Sequence, residues 1–317
     1  MDEKLMNKFI RVIKKTNDGT STKFEVKEIK ELLEDEPNAI FCLYRLVGTQ
    51  NYTEKDCDEI CEYLLNKEDI FKTIKPVTYA GVSSKDKNGW VKKAYRENRR
   101  NGYPQTDKMK SECERKKFNN KPLDNNIGEK HLAMRFFSQE RINSKVDKIE
   151  RLGYVLDYEM PIGGSNKQLY TIKEGERYKD GDCYGIEIPK GTGNLFSTGN
   201  CDLIAYDDVK REFLILELKD MDNSEPLLRA VLEAYTYKLL LNKNEAAESL
   251  IKKYPEIIKT DDIKWRTAPL LYMKGHQYEE EKHPQLKKFM KKKDIDIIWY
   301  EIENEKIVIR KPKTYYN

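Results

Sequence analysis

Residues 199–220 read GNCDLIAYDDVKREFLILELKD, and this stretch decides the fold. Two apolar runs flank a short polar segment within it, a pattern that predicts two strands joined by a tight turn. Because side chains alternate between the two faces of a strand, Glu217 and Lys219 project to the same side of the second strand. Asp202 lies on the first strand. Two carboxylates and an ammonium group are therefore expected to converge on one end of the sheet.

The Glu-x-Lys pattern alone carries little information, because 36% of the residues are charged and the pattern recurs elsewhere, as at Glu25 and Lys27. Only Glu217 and Lys219 follow an apolar strand. Burying a charge at the end of a strand costs on the order of several kcal/mol in desolvation free energy, unless a cation or an opposite charge compensates it. Carboxylate oxygens suit a hard cation such as Mg²⁺ or Mn²⁺. A structural ion pair between Asp202 and Lys219 would compensate the charges too.

Helical and strand-like segments alternate on both sides of this stretch. Their order, helix, three strands, helix and strand, predicts an α/β fold. Gly153 stands where a glycine commonly ends a helix. The expected elements are a helix over residues 129–150, strands over 153–162, 201–206, 213–219 and 269–273, a helix over 225–242, a basic surface helix over 282–293 and a closing hairpin over 295–310.

The composition divides the chain into three segments. Residues 1–90 predict a mainly helical module and residues 125–317 a catalytic domain, with residues 91–124 between them. In residues 91–122, eleven lysines and arginines stand against four acidic residues, with aromatic residues interleaved. This mixture suits contacts with phosphates and bases, and a solvated linker is the alternative. The residues expected to contact DNA are Lys92, Lys93, Arg96, Arg99 and Arg100.

Composition also excludes several classes of protein. No apolar run approaches the roughly 18 residues that a membrane-spanning helix needs. The six dispersed cysteines form no CxxC pair and are most simply reduced thiols. Three scattered histidines provide neither a His-metal nuclease site nor a zinc-protease motif. We therefore expect a cytoplasmic protein that is not bound to a membrane.

Asp202 on the first strand and Glu217-Leu218-Lys219 on the second resemble the signature of the PD-(D/E)xK, or restriction-endonuclease-like, nuclease superfamily. The texture of residues 199–220 is similar to the branch that contains RecB-type nucleases. The resemblance covers about residues 125–275. It implies a restriction-endonuclease-like core, which is a mixed sheet flanked by helices, and to this core the chain adds an N-terminal, mainly helical domain.

The resemblance also implies the catalytic roles. Asp202, Glu217 and the backbone carbonyl of Leu218 would hold one or two Mg²⁺ or Mn²⁺ ions, together with a carboxylate from the first core helix. Glu129 is our choice for that carboxylate. Lys219 would orient or deprotonate the attacking water and stabilise the charge that builds up on the phosphate.

Other positions would support this site. Glu140 and Glu159 are the alternatives to Glu129 as the further acidic ligand. In the RecB-like branch the helix after the lysine often carries Gln-x-x-x-Tyr, and this chain has Glu233 where the glutamine is usual, followed by Tyr237. Arg229 shares a helix face with both residues. All three are expected to support the site or to contact DNA, and a core position is equally open for Tyr237.

The function implied is hydrolysis of DNA, double- or single-stranded, in defence against foreign DNA or in repair and recombination. The alternative is an inactive protein that keeps the nuclease fold and binds nucleic acid or a partner. A protein partner could bind through the N-terminal helices, and a homodimer is compatible with the sequence.

Overall fold

A computed structural model describes residues 24–35, 40, 43–47, 52–73, 128–139, 141–142, 145–161, 200–241, 243–259 and 264–310. The N-terminal part of this range is helical, as the apolar spacing predicts. Thr53 and Asp56 form a reciprocal capping box at the start of the longest of these helices. The helices are α1 (Val26–Asp35), α2 (Leu43–Leu46), α3 (Glu54–Asn66) and a short 3₁₀ helix (Glu68–Thr73).

The described strands form a two-stranded hairpin and one six-stranded mixed sheet. They are β1 (Arg141–Ile142), β2 (Lys145–Val146), β3 (Tyr154–Pro161), β4 (Asn200–Asp207), β5 (Glu212–Leu218), β6 (Lys264–Tyr272), β7 (Ile298–Glu303) and β8 (Lys306–Ile309). The order in the larger sheet follows the chain, from β3 to β8. Strand β4 runs antiparallel to both of its neighbours, β3 and β5, whereas β5, β6 and β7 run parallel and β8 returns antiparallel.

Helices cover both faces of this sheet. On one face, Phe136 of the first core helix packs with Leu203 and Leu216. On the other face, Ile204 and Ile215 share a hydrophobic cluster with the remaining helices. None of the described helices has the length and apolar character that a membrane crossing requires. The remaining helices, in chain order, are α4 (Glu129–Gln139), α5 (Leu227–Leu240), α6 (Lys243–Lys253), α7 (Gln277–Glu280) and α8 (Pro284–Lys293).

The expected α/β architecture is confirmed at this level, with the predicted strands within a few residues of their places. The strand expected over residues 269–273 is longer, Lys264–Tyr272. The basic helix α8 is not purely a surface helix, because Leu286, Phe289 and Met290 are buried in the core. The closing hairpin is present as β7 and β8.

The first core helix is shorter than predicted, and the interpretation of Gly153 was wrong. The helix ends at Gln139, and the residues after it form the β1–β2 hairpin. Gly153 pairs with Ile149 and has φ +96°, and a Cβ there would lie 2.1 Å from the carbonyl oxygen of Tyr206. Glycine is favoured after a helix C-terminus, where φ is often positive, and also where two strands approach too closely for a Cβ atom. The sequence alone cannot separate these two cases.

The N-terminal helices dock on the helical layer beside the sheet. Asp58 on α3 accepts a hydrogen bond from the backbone N–H of Gln285 at the first turn of α8, at 3.2 Å. At the other end of α8, the Lys292 Nζ lies 2.8 Å from a carboxylate oxygen of Glu68. The Tyr44 ring on α2 packs edge-on against Tyr237 of α5. Residues of α1 to α3 and of α5 and α8 belong to the same hydrophobic cluster.

Candidate active site

The ends of β4 and β5 bring two carboxylates side by side. Leu203 and Leu216 are the last paired residues at this end of the two strands, and Asp202 and Glu217 are the next residues beyond them. If the same register continued, the two carboxylates would lie opposite each other on one face. The Oδ2 atom of Asp202 accepts a hydrogen bond from the backbone N–H of Leu218 at 2.8 Å, which fixes this carboxylate at the end of β5. Both acidic side chains are buried.

Lys219 is the centre of the cluster, and four carboxylates surround its ammonium group. The Nζ atom lies 2.7 Å from Glu217, 3.0 Å from Glu225, 3.3 Å from Glu233 and 3.6 Å from Glu129. Its side chain is only 3% exposed. Burial alone would lower the pKa of Lys219, but the four carboxylates hold it well above its ordinary value. The lysine is therefore charged, and it is the main counter-charge of the cluster.

Helix α5 carries Glu233, a direct partner of Lys219, and two further residues that contact the carboxylates of the cluster. Glu233 receives a hydrogen bond from the Tyr237 hydroxyl at 3.0 Å. Arg229, one turn earlier, places Nη1 2.9 Å from Glu225 and Nε 3.9 Å from Glu233. Although burial would raise the pKa of Glu233, Lys219 and Arg229 lower it below its ordinary value. Glu233 therefore carries a charge that pairs with Lys219.

Glu217 has an oxygen atom without a hydrogen-bond donor. Its Oε1 atom accepts from Lys219 at 2.7 Å, whereas no donor in the described part of the chain reaches the buried Oε2 atom. Burial raises the pKa of Glu217 well above its ordinary value, and the neighbouring Asp202 and Glu233 raise it further. This carboxylate is costly to ionise unless an additional cation or a proton meets its free oxygen.

Glu129 is the most solvent-accessible member of the cluster. It lies in the first turn of α4, and its side chain is 35% exposed. Its Oε1 atom accepts a hydrogen bond from Asn223 Nδ2 at 2.9 Å and lies 3.6 Å from Lys219 Nζ. Burial raises the pKa of Glu129 to about 6, against the attraction of Lys219. The solvent-facing side of the cluster is therefore formed by Glu129 and the loop that carries Asn223.

Sequence reasoning missed the residues of this loop and their supports. Glu225 approaches Lys219 as a charge contact, since its Oε2 atom accepts no hydrogen bond of good geometry. Asn223 bonds Glu129, and the buried Gln277 bonds Asn223. The Tyr300 hydroxyl donates to the carbonyl oxygen of Lys219 at 2.9 Å. The acidic and amide residues crowded into residues 220–226, directly after the strand, were the available signal.

The donor set fits a hard divalent cation in charge and chemistry. Within the described ranges, no three histidine, cysteine or acidic side chains are arranged to hold one metal ion. Mg²⁺ does not need such a cage, because it is usually bound through one or two carboxylates and completes its shell with water and substrate phosphates. Five carboxylates in the cluster face two cations, Lys219 and Arg229. The Oε2 atom of Glu217, which accepts no hydrogen bond in the described part of the chain, would be available to such an ion.

The remaining predicted residues cannot be placed in this cluster. Glu159 lies in β3 by its backbone, and its side chain is outside the description. Glu140 lies outside the described residues, as do the basic residues predicted to contact DNA, Lys92, Lys93, Arg96, Arg99 and Arg100.

Comparisons with known proteins give this chain no relative. No protein-family model, no curated protein and no solved structure matches it. A function is therefore inferred from the residues of the chain and their geometry.

Proposed function

We propose that the chain is a metal-dependent nuclease of the PD-(D/E)xK type, which hydrolyses phosphodiester bonds in DNA. The observation that carries this proposal is the convergence of Asp202, Glu217 and Lys219 where β4 and β5 end. The order α4, β3, β4, β5, α5, β6, with the β1–β2 hairpin and α6 as additions between them, supports it, because this is the helix, three strands, helix, strand order of the restriction-endonuclease-like core. Defence against foreign DNA, repair and recombination are the settings that such a nuclease would serve.

The proposed chemistry assigns a task to each residue. Asp202, Glu217, the carbonyl of Leu218 and Glu129 would hold Mg²⁺ or Mn²⁺, which when bound lowers the pKa of a water molecule and neutralises phosphate oxygens. Lys219 would orient or deprotonate the attacking water and stabilise negative charge on the phosphate. The supporting role falls to α5, whose side chains fix the carboxylates around Lys219.

The first experiment tests for cleavage. The full chain is incubated with linear and circular double-stranded DNA, single-stranded DNA and RNA, each with Mg²⁺, Mn²⁺ or EDTA. We expect cleavage of DNA in the presence of either metal and none in EDTA. Cleavage that persists in EDTA, or the absence of any cleavage with both metals, would contradict the proposal.

Variants then assign the site. Asp202→Asn keeps an oxygen that accepts from Leu218 but removes the charge, so we expect it to lose both Mn²⁺ binding and cleavage. Lys219→Ala should keep Mn²⁺ binding and lose cleavage, by about a hundredfold or more. Because Lys219→Ala leaves buried carboxylates unpaired, Lys219→Arg is measured beside it as a variant that keeps the charge and changes the geometry. Lys288→Ala, an exposed lysine on α8, is the control.

A second function, binding without catalysis, is favoured because the ammonium group of Lys219 is already fully surrounded by carboxylates. The ammonium group is 3% exposed and already has four carboxylate partners. A protein that keeps the fold and binds nucleic acid or a protein partner without turnover would have the same stable arrangement. Such a binder would retain DNA in EDTA in a mobility-shift assay and would never nick it, whereas the nuclease would cut once Mg²⁺ is added.

A further inference from the structure

One amide side chain connects the loop after β5 to the exposed carboxylate of the cluster. Asn223 Nδ2 donates to Glu129 Oε1 at 2.9 Å, which is shorter than the 3.6 Å between that oxygen and Lys219 Nζ. Among the described residues, Asn223 forms no hydrogen bond with Lys219. We propose that Asn223 is a positioning residue, which holds the Glu129 carboxylate against the cluster so that it can act as a cation ligand. This inference rests on the proposed nuclease function.

The orientation of the Asn223 amide is determined by its neighbours. Its Oδ1 atom accepts two hydrogen bonds, from the Glu225 backbone N–H at 2.9 Å and from Gln277 Nε2 at 3.0 Å. A rotated amide would turn its N–H groups toward these two donors and its oxygen toward the carboxylate of Glu129. All three contacts would then be repulsive. Asn223 therefore presents a donor to Glu129, and only an acceptor fits there.

Gln277 fixes the loop that carries this amide. Its side chain is buried, and Nε2 lies within 3.0 to 3.2 Å of three acceptors, the carbonyl and side-chain oxygens of Asn223 and the carbonyl of Glu225. His276 Nδ1 lies 3.1 Å from the same Asn223 carbonyl. A Cβ on Gly275 would approach Gln277 Oε1 to 2.9 Å, so the turn before α7 closes tightly over this amide. The turn at α7 therefore holds Asn223 through its carbonyl and side-chain oxygens, and leaves the Nδ2 group directed at Glu129.

Residues that orient metal ligands without touching the metal have a measurable signature. Their removal typically costs about 10- to 100-fold in metal affinity or activity. A residue that acts only through Glu129 has no further effect once Glu129 is gone, whereas a residue that merely stabilises the loop keeps its effect. A double-mutant cycle on Asn223 and Glu129 distinguishes these two roles.

The cycle is measured on the full chain with Mn²⁺ alone, by calorimetry and without DNA. The four proteins are the parent, Asn223→Ala, Glu129→Ala and the double variant. We expect Asn223→Ala to weaken Mn²⁺ binding about tenfold and Glu129→Ala by at least as much. The double variant should bind Mn²⁺ as Glu129→Ala does. Asn244→Ala, at an exposed position on α6, should bind like the parent.

Each other outcome has a definite meaning. A double variant weakened by the product of the two single effects would overturn the role of Asn223, and so would a Glu129→Ala variant with parental affinity, while either result leaves Asp202 and Glu217 as proposed ligands. A parent that binds no Mn²⁺ and cuts no DNA would overturn the nuclease proposal and this inference with it. If Asn223→Ala does not fold, Asn223→Ser replaces it, because serine can accept from Glu225 but is too short to reach Glu129.

Discussion

The burial of Lys219 links stability to the proposed function at a single side chain. Burying an ammonium group costs free energy, because the group loses its hydration. The cost is offset only when opposite charges and hydrogen-bond acceptors surround it in good geometry. Lys219 has four such partners, and three of them come from outside β5, the strand that Lys219 follows. The cluster as a whole still carries more negative than positive charge. The buried Oε2 atom of Glu217, which has no hydrogen-bond donor among the described residues, is where the proposed cation would offset this excess of negative charge.

The three residues with the strongest sequence signal were recognisable because they violate the pattern of their surroundings. Glu217 and Lys219 end an apolar strand, and Asp202 begins another, so the structure brings together residues that stood out in the sequence. Glu225 and Asn223 lie in a polar loop, where acidic and amide residues are ordinary. Their direction toward Lys219 and Glu129 depends on Gln277, which is 54 positions away from Asn223 along the chain. Sequence spacing cannot supply that contact.

A pH-dependent prediction concerns Asp296, which lies away from the cluster. Its Oδ2 atom is 2.7 Å from Arg266 Nη2, whereas Oδ1 has no hydrogen-bond donor in the described part of the chain. Burial raises the pKa of Asp296 to about 6 from an ordinary 3.8, although Arg266 opposes the shift. The folded state therefore binds a proton that the unfolded state has released between about pH 4 and pH 6. The free energy of unfolding falls as the pH rises through this window.

Asp296→Asn should remove this dependence. We expect the difference in the free energy of unfolding, variant minus parent, to increase by about 1–2 kcal/mol between pH 4.5 and pH 7.5, after allowance for solvent screening. Chemical denaturation at a series of pH values measures it. Parallel curves for the two proteins would show that Asp296 has an ordinary pKa.

At the scale of elements, local pattern predicted the strands better than the helix ends. The apolar runs of β4 and β5 predict strands from local sequence alone, because a run of that length must be buried in a sheet or a core. The end of α4 depends on contacts that are distant in sequence. Gly153 approaches the backbone of Tyr206 on β4, so its position is set by sheet packing and not by the helix before it. The order of the sheet likewise depends on pairing between distant segments.

The close approach at Gly153 gives a prediction with a matched control. In Gly153→Ala the new Cβ would meet the Tyr206 carbonyl oxygen at 2.1 Å, in addition to the strain of φ +96°. We expect a loss of about 2–5 kcal/mol in the free energy of unfolding. Gly128 also has positive φ, +66°, but a Cβ there meets nothing within 4 Å. Gly128→Ala should therefore cost only about 1–2 kcal/mol.

Chemical denaturation of both variants separates strain from collision. Equal losses in the two proteins would mean that backbone strain accounts for the whole effect. In that case the strand after Gly153 would be free to shift away from β4 without cost, and the close approach would not specify its position.

At the scale of the whole molecule, the sequence separated residues 1–90 as a module, while the structure packs their described helices into the core beside the sheet. An amphipathic sequence predicts that one face of the helix is buried, but it does not predict which element packs against that face. Asp58 on α3 and Glu68 on the 3₁₀ helix each contact α8. Leu64 on α3 is buried in the cluster that also contains Ile204 and Val231. A shared core of this kind couples the stability of the N-terminal helices to that of α5.

Leu64→Ala tests this coupling. Deleting a buried leucine side chain typically costs about 2–5 kcal/mol. If the helices of residues 24–73 and α5 unfold as one cooperative unit, the amides of α5 should lose hydrogen-exchange protection by the same free energy as those of α3. Lys55→Ala, at an exposed position on the same helix, should leave both sets unchanged. Loss of protection confined to residues 24–73 would instead identify an independent module, and α5 would then hold Arg229, Glu233 and Tyr237 in place without help from the N-terminal layer.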